Sequence, residues 1–145
     1  MLLGQFDSKI GTNGRTGFPK RFRDVLGDKL IITQGFEKSL IVVSEEGWKA
    51  LLEGTEGQPF TQSDARQTQR FLLGGAAFVE LDEKGRFILP EYLRKYAELG
   101  EEIMFIGMSR FVELWDRKRW EEYNKELQGN INVITQRLSG EGKNE

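Results

Sequence analysis

The chain has 145 residues, 38% of them hydrophobic and 30% charged, with a formal net charge of −2 and a sequence pI near 5.4. This is the length of one ordinary domain with an average apolar share, which supports a packed core and argues against wholesale disorder. Cysteine and histidine are both absent, which excludes disulfides, thiolate nucleophiles, thiolate zinc sites and a Ser-His-Asp triad.

The opening segment MLLGQFDSK lacks the basic start of a signal peptide, and no apolar run reaches the ~18 residues of a membrane span. The expectation is a cytoplasmic protein with no membrane contact. A first strand is predicted over about residues 2–10, followed by a tight turn at Asn13-Gly14. Asn-Gly predicts a type I′ turn, which needs positive φ at both central residues. Pro19 ends the next strand and suits the first turn of a helix, in which Phe22, Val25 and Leu26 recur at helical spacing. Leu30-Ile31-Ile32 and Leu40–Val43 read as a second hairpin, and Ser44 as the N-cap of a helix carrying Trp48, Leu51 and Leu52. Gly54 to Pro59 reads as a loop, and Gln62 to Leu73 as a polar helical connector with Arg66 and Arg70.

The same elements then recur. A strand at 76–82 leads to a turn at Lys84-Gly85, a strand Arg86–Leu89, Pro90, and a helical stripe of Leu93, Tyr96 and Ala97. Ile103–Ile106 and Phe111–Trp115 form the matching hairpin, and Asp116 the matching N-cap. Trp120, Tyr123 and Leu127 follow on one face; Ile131, Ile134 and Leu138 share one face of a short terminal helix, before a tail at 139–145 expected to be disordered. The tryptophans are expected to pack in the core.

Shifting the chain by 71 residues places Gly14, Arg15, Pro19 and Arg23 on Gly85, Arg86, Pro90 and Arg94. Ile10, Phe18 and Phe22 then fall on Leu81, Leu89 and Leu93, and a one-residue slip aligns Trp48 with Trp120. The chain therefore reads as two copies of one unit, with domains at 5–47 and 76–119, helical extensions at 48–75 and 120–138, and the tail. One unit of about 45 residues cannot bury enough surface alone, whereas two interlocked units share a core.

Catalytic readings fail on inspection. GTNGRTG (11–17) and GEGKN lack the Gly-Lys-Ser/Thr ending of a phosphate loop, and no carboxylate spacing converges on a general acid and base. The expectation is a protein that is not an enzyme and has no metal, cofactor or small-molecule substrate. Charge is the more informative signal. Residues 9–23 carry Lys9, Arg15, Lys20, Arg21 and Arg23 with no acid among them. On residue type alone, the glycines serve turns, the prolines start helices, and Arg23 and Arg94 solvate a helix face. Strand alternation, however, puts Arg15 on the opposite face from its neighbours, at the start of a hairpin arm that can reach a nucleic-acid groove.

The repeated pattern Lys-Gly-Arg-x-x-x-Pro-x-x-x-Arg, with Asp82 four residues before Arg86, resembles the MraZ family of bacterial transcription regulators. The resemblance covers about residues 1–127 and implies two SpoVT/AbrB-like domains. The implied fold is α+β, mostly β with short helices, in which swapped hairpins of the two internal repeats form one double-split β-barrel. It further implies ring-like homo-oligomers that bind repeated sites in double-stranded promoter DNA of the division and cell-wall gene cluster, and a nucleoid-associated location. The first copy departs from the motif, with Gly11 at the position of Asp82 and Asn13 at that of Lys84.

The DNA-contact candidates are Arg15, Lys9, Lys20, Arg21 and Arg86, and the structural motif residues are Asp82, Gly14, Gly85, Pro19 and Pro90. Arg15 is expected to reach bases, because its fork can bond guanine O6 and N7 together. Lys9, Lys20 and Arg21 are expected on phosphates. Asp82 is expected to pair with Arg86 and brace its hairpin, which leaves Arg15 the freer of the two arginines. Lys20 and Arg21 correspond to Glu91 and Tyr92 in the second copy, so the first copy should dominate DNA contact. The alternative, favoured by the acidic pI, is an AbrB-like protein-interaction or scaffolding module without specific DNA binding.

Overall fold

The computed structural model describes the backbone of residues 1–56 and 62–143. In chain order the elements are β1 (Gln5–Lys9), β2 (Arg15–Gly17), α1 (Lys20–Leu26), β3 (Lys29–Gln34), β4 (Leu40–Val43), α2 (Glu45–Glu56) and α3 (Ser63–Gly74). The second half continues with β5 (Ala77–Glu80), β6 (Arg86–Ile88), α4 (Glu91–Tyr96), β7 (Glu102–Gly107), β8 (Val112–Asp116) and α5 (Arg117–Lys143). The succession strand, strand, helix, strand, strand, helix occurs twice, with α3 added between the copies. The fold is α+β, with antiparallel sheets at its centre.

Pairing crosses the repeat boundary. The larger sheet has the order β1-β7-β8-β4-β3-β5, and β2 pairs with β6 in a separate two-stranded ladder. Each repeat's first strand thus lies beside the other repeat's hairpin: Phe6 opposite Phe105, and Val79 opposite Leu30. The central strands β4 and β8 pair with each other. The expected barrel does not close among the described residues. β1 and β5 stand at opposite edges of an open sheet, and β2/β6 forms its own ladder.

The hydrophobic pattern explains the interleaving. β3 and β4 are buried along nearly their whole length, which fits strands covered on both faces. A single cluster joins Leu2, Ile10, Phe18, Phe22, Leu30 and Leu40 of the first repeat to Leu81, Phe87, Leu89, Leu93, Ile103 and Phe105 of the second. Phe18 sits at its centre, edge-on to Phe105 with ring centroids 5.3 Å apart and to Phe87 at 6.3 Å. The main core thus belongs to neither half alone, and each half adds a smaller cluster of its own. The tryptophans pack as expected: Trp115 and Trp120 are buried together with Ile106, and Trp48 is partly buried against Ile31, Ile41 and Val43.

Both N-caps form. Ser44 Oγ accepts from the Gly47 amide at 3.1 Å, and Asp116 Oδ2 from the Arg119 amide at 3.2 Å, each satisfying a first-turn N–H that the helix cannot. Pro19 and Pro90 sit just before α1 and α4, in extended backbone with φ of −57° and −56°. Their carbonyls accept the first helical bonds.

Three expectations need correction. The turns are not type I′, because only the glycines take positive φ, Gly14 at 79° and Gly85 at 76°; Asn13 and Lys84 do not. Gly14 N–H instead bonds Gly11 O while Gly11 N–H bonds Arg15 O, and Asp82, Gly85 and Arg86 repeat the arrangement. This is a type I turn followed by a left-handed glycine, the usual three-residue hairpin. The terminal segment also differs. α5 is one helix of 27 residues running through Lys143, where a short helix to 138 and a disordered tail were expected. No proline follows Pro90, and the Arg117–Glu121 pair at 3.1 Å supports the first turn, so nothing stops the helix at Ser139. The expected loop at Gly54–Pro59 is helical through Glu56, and its remainder lies outside the described residues.

Candidate nucleic-acid interface

The β2/β6 ladder brings the two copies of the motif face to face. Arg15 lies opposite Ile88, Thr16 opposite Phe87, and Gly17 opposite Arg86. Residues opposite one another in a ladder share a face, and faces alternate along a strand. Thr16 and Phe87 are therefore turned inward, where they are buried, while Arg15, Gly17, Arg86 and Ile88 form the outward face. The two arginines of the duplicated motif sit at diagonal corners of this short ribbon. Together with Asp82, Phe78, Ile88 and Pro90 they line one shallow groove.

The corners differ. Asp82 Oδ2 accepts from Arg86 Nε at 3.1 Å, while Oδ1 accepts from the backbone N–H groups of Lys84 and Arg86, both at 2.9 Å. The backbone bond from Arg86 is the main reason that this carboxyl is held below its ordinary pKa, with Lys84 N–H and the guanidinium adding to it. One carboxylate thus closes the turn and orients the arginine. The pairing uses Nε, so the two terminal nitrogens of Arg86, on a half-exposed side chain, are not taken up by it. Arg15 has Gly11 at the corresponding position and makes no side-chain hydrogen bond or ion pair among the described residues.

The remaining candidates are spread around this ribbon. Lys20 and Arg21 open α1, both exposed, and line a depression with Phe6, Ser8, Gly17 and Pro19. Both lack side-chain partners among the described residues. Their counterparts in the second repeat are occupied: Glu91 pairs with Lys95 at 3.4 Å, and Tyr92 Oη donates to Gly75 O at 3.0 Å. Lys9 is not brought to the ribbon groove. It ends β1 opposite Glu102, in a cleft shared with Glu101, Asp116 and Lys118. Three carboxylates against the two ammonium groups of Lys9 and Lys118 make that cleft a poor seat for a phosphate.

Sequence reasoning missed two features. Phe78, 83% exposed on edge strand β5, and Ile88, 56% exposed, border the arginines. In the run Ala77-Phe78-Val79, neighbouring apolar residues conceal which face is outward; the one-sided exposure follows only from β5 being an edge. Arg23 and Arg94, which on residue type alone would solvate a helix face, instead reach the turns of the opposite repeat. Their identical place after each proline was the available signal.

A family model described as "MraZ protein, putative antitoxin-like" matches the chain twice, at residues 1–71 and 72–140, and the boundary falls where the structural repeat falls. A protein of Moorella thermoacetica named "Transcriptional regulator MraZ" is 39% identical over 138 residues, spanning 95% of this chain and 96% of its own. A protein of the same name from Caldanaerobacter subterraneus subsp. tengcongensis is 38% identical over the same shares. Another, from Roseiflexus castenholzii, is 34% identical over 96% of this chain and 97% of its own.

Proposed function

Since the chain belongs to the MraZ family, we propose that it is a transcription regulator that binds double-stranded DNA sequence-specifically through the outward face of the β2/β6 ribbon. The observation that carries this reading is the convergence of Arg15 and Arg86, 71 residues apart in sequence, on one exposed face of a two-stranded ribbon. A ribbon of that kind fits the major groove, about 12 Å wide. Arg15 is the base reader, with its guanidinium unclaimed among the described residues; Arg86 reaches the same groove from an orientation fixed by Asp82. Lys20 and Arg21, on the neighbouring α1, hold phosphates and set the register. Catalysis has no role in this reading.

The open sheet and the β2/β6 ladder together constitute the AbrB-like split barrel in this proposal. Its two edges, β1 and β5, are dissimilar and uncovered, and edges of that kind are usually managed by pairing or covering. Assembly of several copies would concentrate the basic ribbons of an otherwise acidic chain and engage repeated promoter sites with avidity. The targets expected from the family resemblance are those of the division and cell-wall gene cluster, in a cytoplasmic, nucleoid-associated setting.

A second reading, as a protein-interaction module, draws on Phe78 and Ile88, whose exposed rims flank the arginines. Titration of a duplex from the gene's own upstream region against a scrambled duplex, at physiological salt, separates the two. The regulator reading expects binding of the native duplex at least about 10³-fold tighter. Equal weak binding of both, or none, would favour the interaction module.

A further inference from the structure

We infer that Arg23 and Arg94 are positioning residues, each setting the DNA-facing turn of the opposite repeat. This rests on the DNA-binding reading for its consequence, but not for its geometry. Arg23, on α1 of the first repeat, donates from Nη2 to Asp82 O at 3.4 Å and from Nη1 to Glu83 O at 3.5 Å. Its Nε is anchored on Asp28 Oδ1 at 2.9 Å. A Cβ built on Gly85 would meet Arg23 Nη1 at 3.2 Å, so the guanidinium lies directly against the glycine that precedes Arg86. Arg94, on α4 of the second repeat, packs against the first repeat's turn in the same place, without a side-chain hydrogen bond among the described residues. A Cβ on Gly14, the glycine before Arg15, would meet Arg94 Cζ at 3.2 Å and Nη2 at 3.3 Å.

The backbone reinforces this crossing. Phe18 N–H bonds Gly85 O at 2.9 Å, and Leu89 N–H bonds Gly14 O at 2.8 Å. Each turn glycine is thus held by the other repeat on its carbonyl side and covered by the other repeat's arginine. The left-handed φ of both glycines makes a side chain at either position strained, and the guanidinium above would have to yield to admit one. The direction in which Arg15 and Arg86 leave the ribbon is set one residue earlier, by these two turns.

The braces are unequal in a way that matters. Arg23 has Asp28 as anchor, whereas Arg94 has no ion pair and its Nε is buried without a hydrogen-bond partner among the described residues. The turn carrying Arg15 is held by packing and lacks its own carboxylate; the turn carrying Arg86 has both Asp82 and an anchored Arg23. The first turn therefore has the latitude to adapt to a base, and Arg94 is what limits it.

The test uses the full chain with Arg94→Ala and Arg23→Ala and follows amide hydrogen exchange of Gly14 and Gly85, without DNA. Arg94→Ala should speed exchange at Gly14 several-fold and leave Gly85 unchanged, and Arg23→Ala should do the reverse. Equal acceleration at both turns, or none at either, would overturn the assignment, since a merely structural role loosens both together. DNA titrations then read the consequence. Arg94→Ala should lower specific affinity several-fold with the salt slope unchanged, and should cost nothing further in an Arg15→Ala background. A slope reduced by ~0.9 would make Arg94 a phosphate contact instead. If the wild-type chain does not prefer its own upstream duplex, the DNA reading fails, and the exchange experiment alone decides the positioning role.

Discussion

The turn at Gly11–Arg15 and the turn at Asp82–Arg86 share one backbone and hold their arginines differently. Both close through the same two hydrogen bonds and the same left-handed glycine. In the second, a carboxylate bonds two backbone amides and the guanidinium; in the first, a glycine stands in its place and the arginine has no partner among the described residues. Duplication gives the molecule two equivalent corners on one ribbon, and one substitution makes the first corner available and the second preset. Lys20 and Arg21 beside the first turn, against a paired Glu91 and a hydrogen-bonded Tyr92 beside the second, extend the difference to the flanks.

Converting the first flank into the second is the largest way to break that contrast. Lys20→Glu combined with Arg21→Tyr removes two cations, which should lower affinity for any duplex about 30-fold at 0.15 M salt and reduce the slope of log affinity against log salt by ~1.8 per bound protomer. Titrations at several salt concentrations check this. Lys9→Ala in the same series should change the slope by much less than 0.9, because Lys9 sits among Glu101, Glu102 and Asp116.

Gly11→Asp makes the two turns chemically alike. A Cβ at Gly11 meets nothing closer than Arg15 O at 3.5 Å, and its φ lies outside the left-handed region, so the carboxylate can enter without strain. Melting temperature should rise by about 1–3 °C, from reduced freedom of the unfolded chain and a new exposed ion pair. Specific DNA affinity should fall about threefold to tenfold as Arg15 becomes engaged. Unchanged binding beside a raised melting temperature would mean that the availability of Arg15 is not what distinguishes the first repeat.

The smallest effect is on acid stability. Asp82 is held below its ordinary pKa in the folded chain, so its contribution is complete above the unfolded value near 4 and is lost as pH falls through the folded value. The stability difference between wild type and Asp82→Asn should be constant from pH 7 to about pH 5 and shrink below pH 4. A difference that persists undiminished at pH 2 would place the effect elsewhere than on the ionised carboxylate. The extra stability of Gly11→Asp over wild type should likewise shrink over the same window as pH falls.

Much of this contrast was legible in the residues. The repeat, the Asp82–Arg86 spacing, the caps at Ser44 and Asp116 and the unaccompanied Arg15 are local patterns, and local patterns survive in sequence. The pairing of β2 with β6 was not legible, because a three-residue strand carries too little alternation to name its partner. Nor was the reach of Arg23 and Arg94 across the repeats, since a helix-face arginine reads the same whether it meets water or a turn. The length of α5 was hidden by Gly140 and Gly142, which weaken a helix without forbidding it. Lys9 illustrates the converse: it belongs to an acid-free run in sequence but to an acidic cleft in space, because β1 pairs with β7.

The central claim is that two arginines equivalent by duplication divide the work, with Arg15 reading DNA and Arg86 held by Asp82. Parallel melts and titrations of Arg15→Ala and Arg86→Ala, against the native and scrambled upstream duplexes, test it most directly. Arg15→Ala should lose the preference for the native duplex, by about tenfold to 100-fold for each base contact removed, at an unchanged melting temperature. Arg86→Ala should lower the melting temperature by no more than about 4 °C and weaken specific binding less. Loss of specific binding by Arg86→Ala as complete as that by Arg15→Ala, at unchanged stability, would contradict the division.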